Sequence, residues 1–63
     1  MKWYNENKTM MIDISRITFY SYNSNNITIE YVIDGIRMLE SNPTISYDLF
    51  MALSELSSKK QIL

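Results

Sequence analysis

RITFYSYNSNNITIEYVIDGIRMLE, residues 16–40, reads as two β-hairpins in succession. Its strongest local signal is Asp34-Gly35, set between Ile33 and Ile36. An Asp-Gly pair between alternating apolar runs specifies a type I′ turn, because both central residues must take φ > 0. Such a turn fixes the register: Ile33 faces Ile36, Val32 faces Arg37 and Tyr31 faces Met38. Upstream, Ile27, Ile29, Tyr31 and Ile33 alternate with Thr28, Glu30 and Val32, the periodicity of a half-buried strand.

Arg16-Ile17-Thr18-Phe19-Tyr20-Ser21-Tyr22 precedes it, with the β-branched and aromatic content of a pleated surface. The link is Asn23-Ser24-Asn25, whose residue types tolerate left-handed backbone and form Asx-turns. A three-residue loop there sets Phe19 opposite Ile29 and Ile17 opposite Tyr31 and gathers the apolar residues on one face. A four-residue loop that sets Tyr20 opposite Ile29 buries the wrong set, so the first register is expected. The expected front face is Ile17, Phe19, Ile27, Ile29, Tyr31, Ile33, Ile36 and Met38. The expected back face is Thr18, Tyr20, Tyr22, Thr28, Glu30, Val32, Arg37 and Leu39. Tyr20, Tyr22, Val32 and Leu39 make that back face too apolar for a plain solvated surface.

Outward from the hairpins, the residues before Asn5 form a short apolar and aromatic run, expected as an edge strand that holds Trp3 and Tyr4. Asn5-Glu6-Asn7-Lys8 is turn-like, Met10-Met11-Ile12 is a second apolar run, and Asp13-Ile14-Ser15 is a tight corner with Ile14 turned inward. After Glu40, Ser41-Asn42-Pro43-Thr44 breaks the sheet, since proline lacks a ladder donor. A helix is expected next, with Ser46 as N-cap, Ile45 and Phe50 as a hydrophobic staple and Asp48 in the first turn. Leu49, Phe50, Ala52, Leu53 and Leu56 form an apolar stripe that should lie across the front face of the sheet, with Tyr47 and Met51 on the opposite side. Ser57 and Ser58 weaken the helix, Lys59 and Lys60 suit its negative end, and Gln61-Ile62-Leu63 is expected to fray or join an interface.

With 63 residues the chain is one domain, 1–63, and its core is small. Folds of this size usually draw on disulfides, a metal or oligomerisation. Cysteine and histidine are both absent, which removes disulfides and the usual zinc ligands. Self-association or a larger partner is the remaining route. The net charge of −1 offers no basic footprint for nucleic acid. No apolar run approaches the ~20 residues of a membrane span, and no secretory n-region and h-region open the chain. Cytoplasmic residence without membrane contact is the expectation. Asn7-Lys8-Thr9 and Asn26-Ile27-Thr28 match the glycosylation pattern, read here as coincidence.

Catalysis finds no support in the residues. Asp13 falls on a corner, Asp34 at a turn tip, and Glu30 on a strand where it faces Arg37 diagonally. Gly35 is the only glycine, so no phosphate loop exists, and no serine sits beside a candidate base. No enzyme activity, metal or cofactor is expected. Aromatics on a sheet can stack bases, but that mode normally comes with a positive groove. Tyr, Trp and Met are interface-enriched, so Trp3, Tyr4, Tyr20, Tyr22, Val32 and Leu39 are the candidate interface residues.

The richness in Asn, Ile, Lys, Ser and Tyr, the small size and the lack of cysteine resemble the short reading frames of bacteriophages and mobile elements in AT-rich bacteria. That resemblance implies a non-enzymatic inhibitor that blocks a larger host protein, such as a defence or DNA-processing factor, often as a homodimer. The expected fold is α+β: an antiparallel meander of three or four strands with one C-terminal helix on one face. The expected function is a homodimeric protein-binding inhibitor. The rivals are a small nucleic-acid-binding regulator and a structural subunit of a phage particle or larger complex.

Overall fold

The computed structural model of the chain describes residues 1–56. It shows a small α+β fold of two antiparallel sheets and one helix. β1 (Lys2–Tyr4) and β2 (Met11–Asp13) form a separate hairpin. A 3₁₀ turn at Ile14–Arg16 leads into β3 (Ile17–Asn23), β4 (Thr28–Ile33) and β5 (Ile36–Glu40), which pair in that order. Helix α1 (Pro43–Ser54) returns over the sheet and packs against β4.

The corner before β3 follows from local chemistry. The Asp13 carboxylate caps the 3₁₀ turn by accepting from the Ser15 backbone N–H and hydroxyl, and it also takes the Met1 amine. The Ser15 hydroxyl bond, foremost, holds the Asp13 carboxyl below its ordinary range. Ile14 turns inward and is buried, as its sequence context requires. The β1–β2 loop is built on Asn5, which is itself buried. Its Nδ2 donates to Asn7 Oδ1 and Thr9 Oγ1, and its Oδ1 accepts from the Met10 N–H. A buried amide with partners on both ends replaces an apolar plug at this end of the hairpin.

The β4–β5 hairpin is as its sequence dictates. Asp34 and Gly35 take φ 53° and 79°, and the pairs are Ile33 with Ile36, Val32 with Arg37 and Tyr31 with Met38. Arg16 adds a fork on the turn, its Nε donating to Asp34 Oδ1 at 3.1 Å and its Nη2 to Oδ2.

The β3–β4 register corrects the expected one. Asn23 pairs with Thr28, Tyr22 with Ile29 and Tyr20 with Tyr31. The loop spans residues 24–27, held by Asn23 Oδ1, which accepts from the Asn25 and Asn26 N–H groups. Ile27 completes it at φ 51°, a conformation that crowds a β-branched side chain. The new register turns Tyr20 and Tyr22 to the front face and Phe19 to the back. A bulge between Ile17 and Phe19 inserts Thr18 and keeps Ile17 on the front face as well.

The helix also starts earlier than expected. Asn42, not Ser46, is the N-cap: its Oδ1 accepts from the Ile45 N–H at 3.1 Å, and Pro43 stands at the first helical position. Proline suits that position because its missing N–H would have had no helical partner. Asp48 consequently falls beyond the first turn. Ser46, fully buried, donates its hydroxyl to the Glu40 carbonyl at 2.8 Å and ties the helix to the end of β5. The apolar stripe is as expected, with Leu49 and Leu53 fully buried and Phe50, Ala52 and Leu56 packed beside them. The expectations for Ser57, Ser58, Lys59, Lys60, Gln61, Ile62 and Leu63 lie outside the described residues.

One core results. It joins Ile12 and Ile14, Ile17, Tyr20 and Tyr22, Ile29 and Tyr31, and Leu49 and Leu53. Each such side chain contributes roughly 1.5–3 kcal/mol when fully buried, so β3, β4 and α1 carry most of the stability. Among the described residues no helix is long and apolar enough to cross a membrane.

Candidate interaction surface

The candidate residues divide sharply by burial. Tyr20 and Tyr22, expected on the back face, are core residues, 3% and 8% exposed. Phe50 from α1 explains this. Its ring stacks on Tyr22 with centroids 4.2 Å apart and meets Tyr20 edge-on at 6.2 Å. Burial pushes the Tyr20 phenol pKa up, and burial followed by the Glu40 charge does the same for Tyr31. Neither Tyr20 nor Tyr22 is therefore available to a partner, and neither presents a ring face for stacking a base. Trp3 pairs with Ile12 and packs against the core, so it too is largely occupied. Tyr4 is half exposed, but it belongs to the separate β1–β2 sheet and does not extend the larger one.

Val32 and Leu39 remain on the back face, as expected. Leu39 is 72% exposed. Two cross-strand rows define this face: Phe19–Val32–Arg37 and Ser21–Glu30–Leu39. Glu30 and Arg37 pair diagonally, Oε2 to Nε at 3.4 Å. A shallow hollow of about 200 Å³ lies among Phe19, Ser21, Glu30, Val32 and Arg37. Phe19 was expected in the core and is instead exposed, because the register and the bulge turn it outward.

β5 carries the other correction. Ile36 and Met38 are on the front face, as the pairing requires, yet they are not core: they are 61% and 41% exposed. The helix lies over β3 and β4 and stops short of this edge. Ile27, the fourth displaced core candidate, sits exposed in its loop. Sequence alternation identifies which face a side chain takes, but not how far the covering helix reaches. With one helix of 12 residues for three strands, an uncovered edge could have been anticipated.

β5 thus shows apolar side chains on both faces, Ile36 and Met38 on one and Leu39 on the other. It is also an edge strand, and among the described residues no strand pairs with its outer side. The turn geometry says which backbone groups point outward. A type I′ turn closes with a bond between Ile33 and Ile36, so Ile36, Met38 and Glu40 direct their N–H and C=O groups to β4. Arg37 and Leu39 direct theirs to the outer edge. Natural edges usually carry a device against pairing, such as proline, a bulge or an inward charge. β5 has neither proline nor bulge, and its one front-face charge, Glu40, stands at its last residue.

On the helix, Tyr47 and Met51 are exposed opposite the stripe. Among the described residues no group of three or more His, Cys, Asp or Glu side chains gathers where a metal could bind. The arrangement can hold a polypeptide by backbone pairing and apolar contact. No protein family, no curated protein and no solved structure matches this chain.

Proposed function

We propose that the chain is a cytoplasmic, non-enzymatic protein-binding module that acts as a homodimer and occludes the surface of a larger protein. The observation that carries this reading is β5 with the adjoining back face. Phe19, Ile36, Met38 and Leu39 are large apolar side chains left in water by a chain with few to spare for its core. Exposed apolar surface beside polar groups marks interaction sites, and on the back face Phe19 and Val32 lie side by side with the Glu30–Arg37 pair between them and Leu39. The compositional resemblance to short phage and mobile-element reading frames supports an inhibitor whose target is a host defence or DNA-processing protein. In that role no bond is made or broken. Phe19 and Val32 seat in a pocket of the target, and the adjoining Glu30–Arg37 pair sets orientation.

Affinity capture from a lysate with paired variants tests the reading. Phe19→Glu places a charge in the back-face hollow, whereas Met51→Glu places one on the far side of the helix. A target held by the native chain and by Met51→Glu, but lost with Phe19→Glu, supports the proposal. A target held equally by both variants contradicts it. Binding of labelled DNA or RNA that weakens steeply with salt would instead favour the nucleic-acid reading.

A further inference from the structure

We infer that the second copy in the homodimer pairs edge to edge through β5, with Met38 on the two-fold axis, to make one continuous six-stranded antiparallel sheet. The inference rests on the binding-module reading and specifies its self-association.

Three features of the strand select this arrangement. The first is the backbone. The outward groups belong to Arg37 and Leu39, two residues apart and symmetric about Met38. Antiparallel pairing about Met38 sets Arg37 against the partner copy's Leu39, and the reverse. Each of these two pairings exchanges both an N–H and a C=O, so every outward backbone group between the two residues is satisfied. Pairing about Arg37 would put two guanidinium groups face to face, a destabilising like-charge pair. Pairing about Leu39 would set Arg37 against Ser41 of the partner copy, which lies beyond the end of β5 where the chain turns into α1.

The second feature is face parity. A two-fold axis perpendicular to the sheet keeps front with front and back with back. Met38 then meets its own symmetry mate on the front face, and Ile36 lies beside Glu40 of the other copy. The third is charge. On the back face Glu30 is the cross-strand neighbour of Leu39. Across the axis the next side chain in that row is Arg37 of the second copy. Each Leu39 is therefore covered by an arginine stem from one copy and flanked by a glutamate of its own. Within each row a Glu30 of one copy and an Arg37 of the other stand on either side of Leu39, and the two Arg37 side chains sit diagonally across the seam. The interface is isologous, as a closed dimer requires. Its modest extent puts it at the weak end of specific interfaces, so association in the micromolar range is expected.

Because the native chain has no cysteine, disulfide trapping reads the register directly. Met38→Cys puts two thiols in a pair whose Cα atoms lie about 4.5 Å apart, within bridging distance. Mild oxidation should convert most of that variant to a covalent dimer. Ile36→Cys is more exposed in the single chain but lies far from its own mate, so it should stay at background. A mixture of Ile36→Cys with Glu40→Cys should cross-link, since those positions face each other. N-methylation of the Leu39 amide, accessible by chemical synthesis, should weaken the dimer by about tenfold or more while leaving the circular dichroism unchanged. Cross-linking of Leu39→Cys in preference to Met38→Cys would overturn the register. A native chain that sediments as a monomer at millimolar concentration would overturn the dimer altogether. Target capture is scored with Phe19→Glu, which is off the edge, so loss of the dimer and loss of the binding reading are separate results.

Discussion

The two hairpins share β4 but differ in opposite senses. β3–β4 is irregular, with a bulge at Thr18, a long loop and Ile27 in left-handed backbone. It is nonetheless the covered one, with Ile17, Tyr20 and Tyr22 in the core. β4–β5 is regular from its Asp-Gly turn to Glu40, yet every apolar side chain of β5 is exposed. Local regularity and burial are thus separate properties here. The irregularities in β3 turn three large side chains into the core, while among the described residues the regular strand β5 is left as an edge with neither proline nor bulge.

The contrast breaks most easily at its covered side. Leu53→Ala should cost roughly 2–5 kcal/mol, enough to unfold most of a domain of this size by circular dichroism. Ile36→Ala should change monomer stability by only about 0.5 kcal/mol or less, although the sequence places both residues in the core, Leu53 by helical spacing and Ile36 by strand alternation. Equal costs in dilute chemical denaturation would erase the difference between the two sides.

The two turns sharpen it further. Around Gly35 a Cβ would meet nothing within 4 Å, so the cost of Gly35→Val comes from φ +79° alone. Destabilisation on the order of 1–3 kcal/mol is expected. In the other hairpin the sign reverses. Ile27 already holds φ 51°, and asparagine is at ease there, so Ile27→Asn should stabilise by about 1 kcal/mol or somewhat less. Thermal melts of the two variants should move in opposite directions.

Smaller again is a pH effect of the buried tyrosines. Tyr20 and Tyr31 have phenols raised above the ordinary value of 10.0 by burial. Below that value both states hold the proton and their contribution to stability is complete. As pH climbs past it the unfolded chain ionises first, so stability falls until the folded phenols ionise too. Alkaline unfolding should therefore begin just above pH 10.0 and weaken in Tyr20→Phe.

What was legible in the sequence follows the same division. The Asp-Gly turn, the β4–β5 register, the inward Ile14 corner and the Leu49–Leu53 stripe rest on local rules that nothing in the fold opposes. The β3 register was not legible, because it depends on a β-branched residue accepting positive φ and on a bulge that resets alternation. Both are locally unfavourable and are stabilised by burying Tyr20 and Tyr22 against Phe50. The helix start was misplaced for a different reason. Asn42-Pro43 stops a sheet and also starts a helix, and the second role was readable from the proline rule. Of the candidate interface residues, Val32 and Leu39 lie on the back face as expected, because the β4–β5 pairing is regular. The exposure of Ile36 and Met38 was hidden because it depends on the reach of α1, and that of Phe19 because it depends on the β3 register and bulge.

A dilution series followed by amide chemical shifts bears most directly on the role of β5. From micromolar to millimolar chain, the account predicts concentration-dependent shifts and slowed solvent exchange at the Arg37 and Leu39 amides, with those of Tyr20 and Tyr22 unmoved. Shifts independent of concentration at Arg37 and Leu39, or changes centred on β3 instead, would contradict it.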